Sequence, residues 1–182
     1  MSRIGKLPVE MPSGVSTDIS KNLISVSGPK GKLSEKIIKH VNIVLDGSNI
    51  VISVDKPDDK KQRSFWGLYR SLIANMVKGV TDGFEKRLEI NGVGYKVNVS
   101  GKKLALDVGL SHQVVFDIPE DINIEIEKNV IIISGIRKQS VGEVAAQIRK
   151  IKKIEPYKLK GIKYIDEHVK KKVGKAAKGS GE

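Results

Sequence analysis

The chain repeats itself, and the repetition constrains its fold more than any other feature. "VSGPKGKL" (Val26–Leu33) is echoed by "VSGKKLAL" (Val99–Leu106). "IVISV" ahead of "DKKQRS" is echoed by "VIIIS" ahead of "IRKQS", which places the matched Gln62 and Gln139 77 residues apart. In each half, strand-like segments precede one helix-like segment. Such a unit, present twice, predicts an α+β fold of two similar tandem domains, each an antiparallel β-sheet packed with α-helix. The 182 residues suffice for two small cores. The predicted domains are 1–82 and 83–167, with the junction at Thr81-Asp82-Gly83 and a basic tail over 168–182.

Local signals agree with this plan. The first half opens on an extended arm broken by prolines. "NLISVSG" alternates, "EKIIKHVNIVL" is rich in strand formers, and Asp46-Gly47 marks a hairpin turn before the return strand "IVISV". The period then changes. Phe65, Leu68, Tyr69, Leu72, Ile73, Met76, Val77 and Val80 fall on one face of a helix, with Asp58 or Asp59 as its N-cap. In the second half "EKRLEI", "YKVNVSG", "KLALDVG", "QVVFDI", "INIEIEK" and "VIIISG" read as short antiparallel strands. Val141, Val144, Ala145, Ile148 and Ile151 mark a second helix, and Ser140 with Glu143 spells a capping box just ahead of it. Beyond that the periodicity stops, except for a short strand at "GIKYI". The tail carries too little apolar surface to offset its ordering entropy, so it is expected to order on binding.

Catalytic and metal-binding patterns are sparse. There is no cysteine, which removes disulfides, thiolate nucleophiles and thiolate-bound zinc. His40, His112 and His168 are far apart and lack partners at metal-ligand spacing. "GPKGK" (Gly28–Lys32) is too short for a Walker loop and reads as a hairpin turn. "GVGYK" has no following helix, so it is not a dinucleotide site. No cofactor and no small-molecule substrate is expected. No apolar stretch approaches the roughly 18–20 residues of a membrane span, and the N-terminus lacks a signal-like apolar run.

Charge is where the sequence speaks about partners. The net charge is +12. Residues 1–136 carry 19 basic and 16 acidic side chains, whereas residues 137–182 carry 14 and 5. That asymmetry predicts one anion-binding end. Candidate phosphate contacts from charge alone are Arg137, Lys138, Lys152, Lys153, Lys170, Lys171, Lys172, Lys175 and Lys178. In front of the tail lies "IEPYKLKGIKY" (Ile154–Tyr164), where two tyrosines, a proline and a glycine sit among three lysines. Flat rings among lysines suit unpaired bases or sugars, and lysine reads charge and shape more than base edges. Folded RNA fits that description. Two other readings stay open at this level. A duplex-DNA binder would show a recognition helix or a dimer seam, and an enzyme would gather acid and base groups in a cleft.

Four stretches carry a more specific resemblance: "MSRIGKLPVEMPSGV", "SGPKGKL", "LYRSLIANMVKGVTDGFEKRLEINGVGYK" and "EPYKLKGIKY". Through them the chain resembles the bacterial large-subunit ribosomal protein six family along its whole length. It departs from the family at Leu159, where Gly or Ala is usual, and at Ile154, where Pro is frequent. The resemblance implies a structural, non-enzymatic component of the large ribosomal subunit in the cytoplasm. It implies rRNA binding chiefly through the C-terminal domain, near the sarcin–ricin loop and the stalk base. Other large-subunit proteins would be neighbours there, with translation factors docking nearby. Carried onto this chain, the contact motif is Pro156, Tyr157, Lys158, Lys160, Gly161, Lys163 and Tyr164.

Overall fold

The structure is a computed structural model and describes residues 4–174. The chain divides into two compact units. One is the chain up to Phe84 together with Gly135–Lys138, and the other is Glu85–Ser134 with the chain from Gln139 onward.

The first unit holds β1 (Val9–Glu10), β2 (Ser16–Ser20), β3 (Leu23–Gly28), β4 (Gly31–Lys36), β5 (Val41–Asp46), β6 (Asn49–Val54) and α1 (Lys60–Thr81). Its strands form two three-stranded antiparallel sheets, in the orders β1-β6-β5 and β2-β3-β4. The arm expected to be merely extended therefore supplies two strands. β5 and β6 are joined by Gly47-Ser48, and Gly47 takes the left-handed φ of 58° that such a two-residue turn requires. Pro29-Lys30 closes β3 onto β4. The Lys30 amide donates to the Val80 carbonyl at 3.0 Å, and its ammonium group to the Asp82 carbonyl. The turn thereby satisfies the end of α1, a structural role for "GPKGK". The strand-forming run Glu35–Leu45 breaks between β4 and β5. There the Tyr69 hydroxyl donates to the Lys36 carbonyl at 2.7 Å and accepts from the Ile38 amide at 3.0 Å. Asp59 caps α1, accepting from the Lys61 amide at 3.0 Å. Ile73, Met76, Val77 and Val80 pack onto Ile24, Val26, Ile50 and Ile52, while Leu68 stays exposed and Trp66, off the expected face, is buried. The Trp66 indole N–H donates to the Ile52 carbonyl at 2.7 Å.

The second unit repeats the order: β7 (Phe84–Asn91), β8 (Lys96–Ser100), β9 (Lys103–Asp107), β10 (Val114–Asp117), β11 (Ile122–Glu127), β12 (Val130–Gly135) and α2 (Lys138–Ile151). β8-β9-β10 matches β2-β3-β4, and β11-β12-β7 matches β5-β6-β1. One strand has no counterpart. β13 (Gly161–Tyr164) adds to the outer edge of β7, antiparallel, giving the order β11-β12-β7-β13. Leu88, Ile90, Leu104, Leu106, Ile131, Ile133, Val144, Ile148 and Ile162 form the buried interior. The expected capping box is not formed. α2 begins two residues before Ser140, so Ser140 lies within the first turn, and Glu143 accepts from Gln147 at 3.3 Å along the helix. Among the described residues no helix is long and apolar enough to cross a membrane.

Candidate nucleic-acid interface

After α2 the chain passes Lys152 and Lys153, makes a loop, and returns as β13. The return is anchored by Ile162, which is fully buried and paired with Ile90. The Ile162 amide also donates to the Lys152 carbonyl at 2.8 Å, so β13 is held from both sides. The crossing point admits only glycine. Gly161 has a φ of 137°, and a Cβ there would lie 2.6 Å from the Ile154 Cα and 2.7 Å from the Lys153 carbonyl oxygen.

The loop itself is closed by its own backbone. The Glu155 amide donates to the Lys160 carbonyl at 2.8 Å, and the Leu159 amide to the Glu155 carbonyl at 3.0 Å. Closure puts Leu159 at a left-handed φ of 56°. Pro156 fixes one more backbone angle. The following segment folds back, with the Lys172 amide donating to the Pro156 carbonyl at 2.9 Å. Lys153, Lys158, Lys160, Lys170, Lys171 and Lys172 are exposed, and among the described residues none of them is ion-paired. Lys152 is half-buried. Tyr157 is 48% exposed, leaving its ring available to a partner.

Two motif residues turn to structural partners instead. Lys163 lies opposite Glu89 in the β13–β7 register, and the Lys163 ammonium sits 3.0 Å from the Glu89 carboxylate. That hydrogen bond, opposed by burial, holds the Glu89 carboxyl below the usual range. Tyr164 is half-buried, with the Arg149 guanidinium 5.5 Å and the Lys86 ammonium 5.6 Å from its ring centre. Arg149 in turn forks onto Glu167, donating from Nε at 2.8 Å and from Nη2 to the other oxygen. Arg149 depresses the Glu167 pKa, and Glu167 raises that of Arg149. These pairs brace the site rather than leaving cations free in it.

The remaining candidates fall elsewhere. Arg137 and Lys138 belong to the first unit. The Lys138 ammonium donates to the Asn75 amide oxygen at 3.3 Å and sits 5.8 Å from the Phe84 ring centre, while Arg137 is exposed. Lys175 and Lys178 lie outside the described residues. His40 hydrogen-bonds Asp55 at 3.0 Å, but both side chains are exposed at the surface rather than set in a cleft. His112 is exposed, and no group of three potential metal ligands occurs among the described residues. Sequence reasoning missed the bracing carboxylates Glu89 and Glu167, because only the β13–β7 register and the fold-back bring them to the motif.

The sequence model of the family described as ribosomal protein L6 matches residues 11–83 and 91–165, one match in each repeat. The chain is 50% identical over 180 residues to the large ribosomal subunit protein uL6 of Natranaerobius thermophilus, covering 98% of this chain and 100% of that protein. It is 49% identical to the uL6 protein of a Nitratiruptor species, over 98% and 99% of the two chains. It is 50% identical to the uL6c protein of Guillardia theta, again over 98% and 99%.

Proposed function

Because the chain belongs to the ribosomal protein L6 family, we propose that its second unit docks on large-subunit rRNA through the Glu155–Lys160 loop and the lysines around it. The chain is a structural component of the large ribosomal subunit in the cytoplasmic ribosome, and not an enzyme. The observation that carries the RNA contact is a backbone-closed loop whose exposed lysines have no acidic partner among the described residues. Between 149 and 174 there are ten basic side chains against three acidic ones, and two of those three, Glu167 and Asp166, are already ion-paired. Lysine ammonium groups neutralise phosphates and release counterions, which supplies affinity without base reading. The fixed loop supplies selectivity, since it matches one spatial arrangement of phosphates and can set the Tyr157 ring against a base or sugar. The docking place is near the sarcin–ricin loop and the stalk base, among other large-subunit proteins and close to where translation factors dock.

The test compares the full chain with its Lys158→Met/Lys160→Met variant, titrated with salt against large-subunit rRNA fragments and duplex DNA of equal charge. The wild type should prefer one rRNA fragment, and the variant should lose affinity there with a smaller salt slope. Equal binding of RNA and DNA with equal slopes would reduce the site to an unselective polycation.

A further inference from the structure

A second basic feature stands at the same end of the second unit's sheet, in a part of the sequence where charge is nearly balanced. β7 ends at Asn91 and β13 begins at Gly161, and these two residues pair. The loop leaving β7 and the loop entering β13 therefore emerge together. The Lys128-Asn129 turn between β11 and β12 joins them, since the Ile90 amide donates to the Asn129 carbonyl at 2.9 Å. Between that turn and the β7–β8 loop lies a concavity of about 240 Å³, lined by Tyr95, Lys96, Asn98, Lys128 and Asn129 among others. Among the described residues no carboxylate lines it. Glu89 and Glu127 line a neighbouring concavity that Lys128 and Asn129 also border. Glu89 is held there by Lys163, and Glu127 forms no ion pair with Lys128. Asp107, opposite Lys96 across β8–β9, forms no ion pair with it.

The concavity is built rather than accidental. The Tyr95 ring lies so close over Gly92 that a Cβ there would be 2.5 Å from ring carbons. Lys128 takes a left-handed φ of 55°. The first unit offers an internal comparison, because its β5–β6 turn occupies the same place in the repeated plan. There the left-handed residue is Gly47, at a φ of 58°. One copy uses the residue that adopts this backbone without strain. The other holds a lysine there at a strain of about 1–2 kcal/mol. Strain kept at a position where a relaxed residue would serve is a mark of function.

We propose that this concavity binds a backbone phosphate of the RNA, with Lys96 and Lys128 supplying charge and Asn98 and Asn129 supplying amide donors. The second unit then grips folded RNA at two places on one end of its sheet. This deepens the RNA-binding reading above and rests on it.

The test uses the full chain, a large-subunit rRNA fragment and a potassium chloride titration. Lys96→Met and Lys128→Asn are compared with the Lys158→Met/Lys160→Met variant. Removing a single lysine–phosphate pair should lower the salt slope by about 0.7–0.9, which is roughly a five- to eightfold loss of affinity at 0.1 M salt. Thermal melting is read alongside. Asn accepts left-handed backbone, so Lys128→Asn should melt no lower than wild type while binding more weakly. If both concavity variants bind as wild type while the loop variant weakens, the concavity is not a phosphate site and the loop reading stands. If Lys128→Asn melts lower yet binds normally, Lys128 is only structural and the inference falls. If no variant changes affinity or slope, the RNA-binding reading itself falls.

Discussion

Replacing Gly161 by alanine tests whether RNA reads the loop's geometry or only its charge, because the substitution leaves every charge in place. A φ of 137° is closed to side chains, at a strain of about 1–3 kcal/mol. The added Cβ would meet the Ile154 Cα at 2.6 Å, the Lys153 carbonyl oxygen at 2.7 Å and the Ile154 amide nitrogen at 2.8 Å. All three are backbone atoms, so no side chain can rotate aside, and overpacking adds about 1–3 kcal/mol. The total, roughly 2–6 kcal/mol, is a large part of the stability of a unit this size. At about 4–8 °C per kcal/mol, Gly161→Ala should melt the second unit at least ~8 °C lower by circular dichroism. The Ile162 amide, which donates to the Lys152 carbonyl, should lose hydrogen-exchange protection. Affinity for the rRNA fragment should fall toward that for duplex DNA of equal charge. Unchanged melting and protection would refute the packing argument at Gly161. Weaker folding with unchanged rRNA preference would refute the claim that loop geometry provides selectivity.

Three further outcomes follow from the same structure. Lys163 is paired with Glu89, so Lys163→Met should leave the rRNA salt slope nearly unchanged, whereas Lys160→Met should lower it by about 0.7–0.9. The Glu89 and Glu167 carboxyls titrate below the ordinary glutamate value of about 4.3, so their pairs stabilise the fold above that pH and are lost as pH falls through the lowered values. Glu89→Gln/Glu167→Gln should therefore flatten the acid limb of melting temperature against pH below about 4.5 and leave its slope near pH 7 unaltered. A Cβ on Gly79 would sit 2.0 Å from the Ile136 carbonyl oxygen, so Gly79→Ala should destabilise the first unit by about 3 kcal/mol or more, read through the fluorescence of Trp66, the only tryptophan.

What the sequence disclosed was governed by local rules. Asp46-Gly47 marks its turn because a two-residue hairpin needs left-handed backbone, and Phe65–Val80 shows its face because a helix repeats every 3.6 residues. Ser140-x-x-Glu143 misled because a capping pattern is equally at home inside a first helical turn, and only the start of α2 at Lys138 decides. The site was legible as charge and composition. Its division into free and braced cations was not. Lys160 and Lys163 look alike in sequence, yet a strand register sets one in solvent and the other against Glu89. Lys96 and Lys128 were invisible to a charge count, because acidic neighbours balance them in sequence, while no carboxylate lines the concavity that the two lysines share.

The two units also show why the basic loop exists in one and not the other. β1 and β7 hold the same place in their sheets, but β1 has two residues and β7 has eight. A two-residue edge offers little to pair with, while an eight-residue edge is a template for aggregation unless something covers it. β13 covers β7 from Leu88 to Asn91. To run antiparallel there, the chain leaving α2 must first reach the far end of that edge and turn, and the turn is the Glu155–Lys160 loop. The demand to protect β7 thus places a closed loop at a sheet end, and the lysines carried on it convert a structural necessity into a docking surface.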